Sequence, residues 1–523
     1  MIDRFVSSRF SGDTGIAWLL LIGALALRAL LPVLASGHQF EGLFTSPPGD
    51  APYRAALRDH FLAFLWYEHT LPLLFTAKNG LLYALLPADW FRFGSYALTV
   101  FCDAIGTALA FLMLRRFGIG KPWAALTAAA ISLRFVPWET WHWGTSWDAL
   151  SPFFVLLFCW SIVRFVAKPE AARSWNAGLC GALLIGGFQF GLPIFIAAAV
   201  GALILMTPRR GLAAPALRLF VIPVCLTAGI VAKNVAEHDL WSLSSGAGEN
   251  IIENLNMALQ DREGHGALRF GIKNGYPQWW AWCYEEAERH KVIPVPNVSG
   301  LYGMCTFRGS RDWDFSGLRE YLARHPDPEL AKDVTKDIDV LRHRPWLWTG
   351  PVWERITDTS IAYGKISQRL LFDVAREHPW NFVARIYYNL REFFLIEGYR
   401  FLIWKSNGAI TGPPPVRIAN AAAAWLFLAG FAAAAVYFAA SALRRIVLWL
   451  RPAPAHAAAG RLWTLGAVSA GVIAVALLSA MMSCCENHRH AFCVLPVMMC
   501  LGAAGLADAA RTIVRITKSA RFR

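Results

Sequence analysis

The stretch from Pro47 to Leu86 carries one carboxylate and one ammonium in settings that suit chemistry. Asp50 lies in PPGDAPY, where proline and glycine favour a turn that presents the side chain. Lys78 lies in AKNGLLYAL, directly before an apolar run. A carboxylate can accept a proton from a hydroxyl, and a lysine can neutralise charge on a phosphate leaving group. Held just above a bilayer, the two predict group transfer from a lipid-linked phosphate.

Each of these two residues also has a structural interpretation. Asp50 could cap a helix that we predict from near Ala51, a role that aspartate favours. Lys78 could lie at the membrane interface with its ammonium among the lipid headgroups. The sequence leaves both interpretations open.

Three further ionisable residues lie near the ends of apolar runs. Asp148 begins one run, where a carboxylate also complements the helix dipole. Glu486 and Arg489 lie in a turn between two runs and could pair with each other. Because these loops and the first loop are predicted on one membrane face, the ionisable groups together indicate a functional site.

The composition indicates a helical membrane protein that crosses the bilayer many times. Of 523 residues, 56% are hydrophobic, and apolar runs of span length recur. We predict about ten spans, two of them forming a hairpin within Trp175–Met206. The others are Ile16–Ala35, Ser95–Leu114, Trp123–Val136, Leu150–Val166, Leu219–Val231, Ile418–Leu443, Leu462–Met482 and Phe492–Ala509.

Three regions follow from this pattern: an N-terminal membrane module (1–236), an extramembrane region (237–416) and a C-terminal membrane module (417–523). The extramembrane region is predicted to be mainly helical and to include helices at the membrane surface. Arginine and lysine flank the short loops that would be cytoplasmic, so both termini are predicted inside. The first loop, predicted to form surface helices over Ala51–Tyr67 and Leu71–Leu86, then shares the outer face with the extramembrane region.

Several classes of function are disfavoured. The net charge is +14, but its lysines and arginines cluster at the ends of apolar runs, which indicates topology and lipid contact rather than nucleic-acid binding. No P-loop or glycine-rich nucleotide fingerprint appears. No cofactor and no metal ligands are predicted, and a divalent-metal requirement is left open. Cys283 and Cys305 are predicted to form a disulfide on the outer face, with Cys484 and Cys485 as competing partners.

Short motifs in a consistent order resemble a known family. They are ALALRALLPV, GDAPYRAAL, TAKNGLLYALL, LRRFGIGKPWAALTAAAISLRFVP with TSWDALSPFFVLL, AKNVAEHDLWSLSSGAGENIIENL and ENHRHAFCVLPVMM. In these motifs the chain resembles bacterial GT-C glycosyltransferases of the protein O-mannosyltransferase and lipid A aminoarabinose transferase type. It departs from the family's Asp-Glu pair at Asp50-Ala51, from two prolines at Asn79 and Gly80, and from an arginine at Lys233.

The resemblance implies an inverting transfer of a sugar from a polyprenyl-phosphate donor to a periplasmic glycan, lipid or protein acceptor. The enzyme would lie in the bacterial inner membrane with its active site facing the periplasm. Asp50 would be the general base, while Lys78 and Arg489, with Lys233 a weaker candidate, would bind the lipid phosphate. Asp148 and Glu486 would position the acceptor or these cations, and Tyr53 would support the site.

Two alternatives remain at this point. A lipid-linked oligosaccharide ligase or polymerase would use cations of the extramembrane region such as Arg342, His343 and Arg344. A non-enzymatic transporter of lipid-linked glycans would favour internal repeats with broken helices, and the sequence shows no convincing repeat.

Overall fold

A computed structural model of the chain describes residues 11–36, 50–67, 73–133, 150–188, 190–206, 213–243, 255, 258–259, 266–282, 316–344, 358–394, 405–406, 409–410, 414–450, 458–482 and 487–521. The N-terminal part forms helices α1 (Ser11–Ser36), α2 (Asp50–Tyr67), α3 (Leu73–Leu85), α4 (Phe91–Arg116), α5 (Lys121–Leu133), α6 (Ser151–Ala167), α7 (Ala171–Gly187), α8 (Gly191–Met206) and α9 (Ala213–His238).

The rest of the described chain is also almost entirely helical. It forms α10 (Gly266–Lys273), α11 (Ser316–Arg324), α12 (Pro328–His343), α13 (Asp358–Glu377), α14 (Pro379–Phe394), α15 (Pro414–Leu450), α16 (Ala458–Met482) and α17 (Asn487–Arg521). A two-residue antiparallel pair, β1 (Lys405–Ser406) with β2 (Ala409–Ile410), precedes α15.

Every predicted span falls on one of these helices, and the predicted hairpin is the pair α7 and α8. Within the described residues, five helices are long and apolar enough to cross a membrane: Phe91–Arg116, Ala213–His238, Trp425–Val447, Arg461–Met481 and Cys493–Ser519. The two predicted surface helices of the first loop are present as α2 and α3. The total of about ten spans and the surface position of α2 and α3 stay predictions.

The main apolar core lies among the helices of the two predicted membrane modules. Within it, α15 and α17 approach so closely that glycine is needed on both sides. A Cβ atom at Gly430 would lie 1.9 Å from the Met498 carbonyl oxygen, and one at Gly502 would lie 2.2 Å from that of Leu426. Small residues that allow helix backbones to touch are typical of packing in membranes.

A second core joins α2 and α3 to the extramembrane region. Leu57 and Phe64 of α2 and Tyr83 of α3 belong to the same buried cluster as Trp280 and Leu370. The helices of the first loop therefore pack against α10–α13, and the loop and the extramembrane region lie on one side of the membrane helices.

The buried Arg28 of α1 pairs with an acid of α4. Its Nη2 lies 2.6 Å from Asp103 Oδ2, and both residues are buried. The Tyr96 hydroxyl donates to the Arg28 carbonyl at 2.7 Å. Isolated charges in a membrane interior are costly, so this pair explains how the first apolar run accommodates an arginine.

Candidate functional site

The helix α2 begins at Asp50 and has a kink at His60. His60 has φ −133° and ψ 32°, outside the helical region, so the segment that starts with Asp50 and the segment that ends at Tyr67 are distinct. Tyr53 lies in the first turn, one residue after a proline. The structure describes the backbone at Asp50 and Tyr53 but not their side chains, so their predicted roles stay predictions.

Lys78 is buried at the junction of α3 with the candidate span α4. Its Nζ donates to Ser95 Oγ at 3.2 Å and lies 5.0 Å from the centre of the Phe75 ring. The residue is only 8% exposed. An anion reaching the ammonium would interact with it in surroundings of low dielectric constant, where such an attraction is strong.

Gly80 is one of the two residues that replace the family's prolines, and packing explains why this position holds glycine. A Cβ atom at this position would lie 2.4 Å from the Phe61 ring of α2. Glycine therefore lets α3 pack directly on the second segment of α2, two residues after Lys78. This close contact links the lysine-bearing helix to the helix that starts at Asp50.

The C-terminal end of α2 is attached to the last turns of α9. Lys233 Nζ donates to the Leu65 carbonyl at 3.3 Å, and His238 Nε2 lies 3.1 Å from the Tyr67 carbonyl oxygen. The Trp66 indole donates to Glu237. The last carbonyls of a helix lack partners within it and carry partial negative charge, so cationic donors stabilise them.

His238 also contacts the extramembrane helices. Its Nδ1 lies 2.6 Å from Asp358 Oδ1 at the start of α13, and Lys336 of α12 donates to the other oxygen of that carboxylate. The two ring nitrogens of His238 thus lie against two acceptors, the Asp358 carboxylate and the Tyr67 carbonyl. This cluster of His238, Asp358 and Lys336 joins the end of α2 to α9, α12 and α13.

A second buried carboxylate lies directly beneath this cluster. Asp337 accepts from the backbone N–H groups of Asp358 at 2.7 Å and Thr359 at 2.9 Å, and from the Thr359 hydroxyl at 2.6 Å. These are the first N–H groups of α13, which no intrahelical carbonyl can satisfy. Asp337 therefore caps α13 from a neighbouring helix.

The two carboxylates have opposite shifts in pKa. Burial, together with the nearby Asp358 charge, raises the pKa of Asp337 to about 7. Burial acts in the same direction on Asp358, but hydrogen bonds from His238 and Lys336 outweigh it and lower the pKa of Asp358 below its ordinary value. The cluster is thus most stable with Asp358 ionised.

The cations that a ligase or polymerase would use have local contacts in this structure. Arg344 lies over the Tyr67 ring, 4.6 Å from its centre. His343 lies on the exposed end of α12, with Nδ1 3.4 Å from Asp339 Oδ1. Arg342 is exposed beside it. Arg344 thus adds to the contacts at the end of α2.

Two of the predicted cations have described side chains. Lys233 donates to Leu65 in the second segment of α2, while Lys78 contacts Ser95 of α4, and the helix that carries it packs on Phe61 of α2 through Gly80. Arg489 lies in the first turn of α17, but its side chain is not described. Asp148, Glu486 and the four cysteines Cys283, Cys305, Cys484 and Cys485 lie outside the described residues. Within the described residues, no group of three or more histidine, cysteine or acidic side chains could hold a metal ion.

The cluster around His238 was not identified from the sequence. His238 and Asp358 are 120 positions apart, and Lys336 lies in a region where the motifs of the resemblance do not extend. The available signal was the pair His238-Asp239 at the end of an apolar run. Histidine there could have been read as a cation that stabilises a helix C-terminus.

Comparison with solved structures gives a weak likeness. No protein-family model matches the sequence, and no curated protein matches it. The chain is similar to the crystal structure of ArnT from Cupriavidus metallidurans bound to undecaprenyl phosphate, with 12% sequence identity and a TM-score of 0.31. The match covers 94% of this chain and 78% of that one. A likeness this distant carries no argument about the site.

Proposed function

We propose that this chain is a membrane glycosyltransferase that moves a sugar from a polyprenyl-phosphate donor to a periplasmic glycan, lipid or protein acceptor. The observation that carries the proposal is the buried ammonium of Lys78 beside the candidate span α4. It lies on a helix that packs against α2, the helix that begins at Asp50. A cation at the edge of an apolar bundle suits the phosphate of a lipid donor, and a carboxylate such as Asp50 suits an acceptor hydroxyl.

The reaction is a single displacement at the anomeric carbon of the donor sugar. Asp50 takes the proton of the acceptor hydroxyl as its oxygen forms the new glycosidic bond. The bond between the anomeric carbon and the phosphate oxygen breaks at the same time, and the lipid phosphate leaves with both electrons. Because the acceptor attacks from the face opposite the leaving group, the configuration inverts.

The other predicted residues have supporting roles in this scheme. Lys78 and Arg489 bind the lipid phosphate and stabilise the charge that grows on it, and Lys233 is the weaker candidate for this role. In the structure, Lys233 donates to the Leu65 carbonyl. Asp148, Glu486 and Tyr53 position the acceptor or the cations.

We place the enzyme in the bacterial inner membrane with this site on the periplasmic side. The reaction requires no nucleotide, and the sequence contains no P-loop or glycine-rich nucleotide fingerprint. The direct test uses purified protein in lipid nanodiscs with a polyprenyl-phosphate sugar carrying a radiolabel in the sugar. Transfer of label to an acceptor fraction from the cell envelope is expected. If the label stays on the lipid with every polyprenyl-phosphate sugar tried, the proposal is wrong.

A further inference from the structure

The extramembrane region contains a pocket of about 500 Å³. It opens between the end of α9, the helices α12 and α13, and the segment 274–279. This volume lies in the range of sites for small molecules or for a few sugar residues of a longer chain. The pocket is separate from Lys78 and Asp50, and the reaction scheme above leaves it without a role.

One side of the pocket is apolar and aromatic. Trp279, Ile361 and Ile366 line it, and the Tyr276 ring lies beside them. Two contacts hold the Tyr276 ring in place. Its hydroxyl donates to Asp373 Oδ2, and the Arg369 guanidinium carbon lies 5.8 Å from the centre of the ring. A fixed aromatic surface of this kind suits the C–H faces of a sugar ring.

The other side is densely polar, with charges of both signs. Six carboxylates line the pocket: Asp239, Asp327, Glu329, Asp333, Asp358 and Asp373. Four cations alternate with them: Lys332, Lys336, Lys365 and Arg369. The mixture disfavours a phosphate, which the carboxylates would repel, and a polyamine, which the cations would repel. It offers many acceptors and donors to a neutral ligand whose groups can both donate and accept.

We infer that this pocket binds a neutral stretch of the acceptor's oligosaccharide. Sugar hydroxyls can donate to the carboxylates and accept from the lysines, while the ring faces pack on Tyr276 and Trp279. This inference rests on the proposed function, since it assigns a saccharide to the acceptor of that reaction. It narrows the acceptor to a glycan or to a molecule that carries one.

The position of the pocket relates acceptor binding to the catalytic helix. His238, Lys336 and Asp358 line the pocket and are also the residues that attach the end of α2 to the extramembrane region. A bound oligosaccharide therefore lies against the contacts that fix α2.

The test measures binding directly, without catalysis. Fluorescently labelled protein in nanodiscs is applied to an array of lipid-free oligosaccharides from bacterial outer-membrane and cell-wall glycans. The double variant Lys332→Ala, Glu329→Ala removes two exposed polar groups from the pocket wall. Loss of two hydrogen bonds to a neutral ligand should weaken binding roughly tenfold.

A matched variant controls for surface charge. Lys273→Ala, Glu320→Ala changes the same residue types at exposed positions of α10 and α11 that do not line the pocket, and its binding should equal that of the wild type. Inorganic phosphate at millimolar concentration should not displace the oligosaccharide. Absence of binding to every array glycan, equal weakening in the two double variants, or displacement by phosphate would each overturn the inference.

The inference and the proposed function fail in different ways. If oligosaccharide binding depends on the pocket but no sugar moves from a polyprenyl phosphate, the pocket stands and the proposed reaction falls. If sugar transfer is observed while the pocket variant binds and transfers like the wild type, the reaction stands and the pocket is not the acceptor site.

Discussion

His238 Nε2 lies 3.1 Å from the Tyr67 carbonyl oxygen, so the last turn of α9 ends against the last turn of α2. The same imidazole contacts Asp358 of the extramembrane region at 2.6 Å. One side chain therefore joins a candidate span, an extramembrane helix and the helix that starts at Asp50. This contact lies in the second segment of α2, on the other side of the His60 kink from Asp50, the proposed general base.

The variant His238→Ala should loosen the second segment of α2 and reduce transfer. It removes the ring contacts with the Tyr67 carbonyl and with Asp358, a loss of about 1–3 kcal/mol for buried groups of this kind. We expect faster hydrogen exchange of amides 61–67 and a lower kcat with little change in donor affinity. The control His343→Ala removes an exposed histidine whose described contacts lie on its own helix. Unchanged exchange in α2 would contradict the role of His238.

The variant Asp50→Asn tests the general base. Asparagine keeps the shape of the side chain but cannot take a proton, so transfer should fall on the order of 10²–10⁴-fold while donor binding changes little. If Asp50 serves only to stabilise the start of α2, asparagine should replace it almost silently, since it also favours helix N-termini. Turnover and donor binding are measured separately. Turnover at the wild-type rate would leave Asp148 as the next candidate for the base.

The variant Lys78→Met separates a donor-binding lysine from a structural one. Methionine fills a similar volume without a charge, and burying an ammonium beside apolar residues is unfavourable. We expect the melting temperature to stay equal or rise while binding of the polyprenyl phosphate is largely lost. The control Lys121→Met changes a lysine that pairs with Asp13, 3.6 Å away near the opposite end of α4. Donor binding that survives Lys78→Met would exclude this lysine from the phosphate site.

Asp337 should make the extramembrane region less stable as the pH rises. Its pKa is about 7 in the folded chain and near its ordinary value of 3.8 when unfolded. Between these two values the folded state binds more protons, so the free energy of unfolding falls as the pH rises from about 4 to about 7. The lowered pKa of Asp358 acts in the opposite sense, but only at more acidic pH.

The measurement compares melting temperatures at pH 5 and pH 8 by tryptophan fluorescence. In Asp337→Asn the difference between the two pH values should shrink, whereas Asp339→Asn, an exposed position on the same helix, should behave like the wild type. An equal pH dependence in Asp337→Asn and the wild type would show that this carboxyl does not titrate as described.

Hydropathy was sufficient to predict the helices of the membrane modules, because a span needs a long apolar run whatever it packs against. Pairings between distant segments were beyond the sequence. Arg28 and Asp103 each lie inside an apolar run, but only the packing of α1 on α4 shows that they are partners. For the extramembrane region, the sequence predicts helices but not where each one begins and ends. These boundaries depend on tertiary contacts such as the capping of α13 by Asp337.

The candidate site was predicted in part for the same reason. Lys78 could be selected from its position before an apolar run, while its partner Ser95 lies on a helix whose register only packing determines. Lys233 was selected by the resemblance alone. Its hydrogen bond to the Leu65 carbonyl, which attaches α9 to the end of α2, could not be predicted from the neighbouring sequence. Gly80 departs from the family's motif because a side chain at this position would collide with the Phe61 ring of α2, a contact that the sequence does not reveal.

The topology determines whether all of these residues face the same compartment. Because α2 and α3 share a buried core with the extramembrane region, they must lie on the same side of the membrane helices. The distribution of arginine and lysine predicts that this side is the periplasm. A periplasm-active reporter fused after Trp279 should therefore give signal, and the same reporter fused after Arg451 should give none. The reverse pattern would put Lys78 and the pocket in the cytoplasm and remove the basis for a periplasmic acceptor.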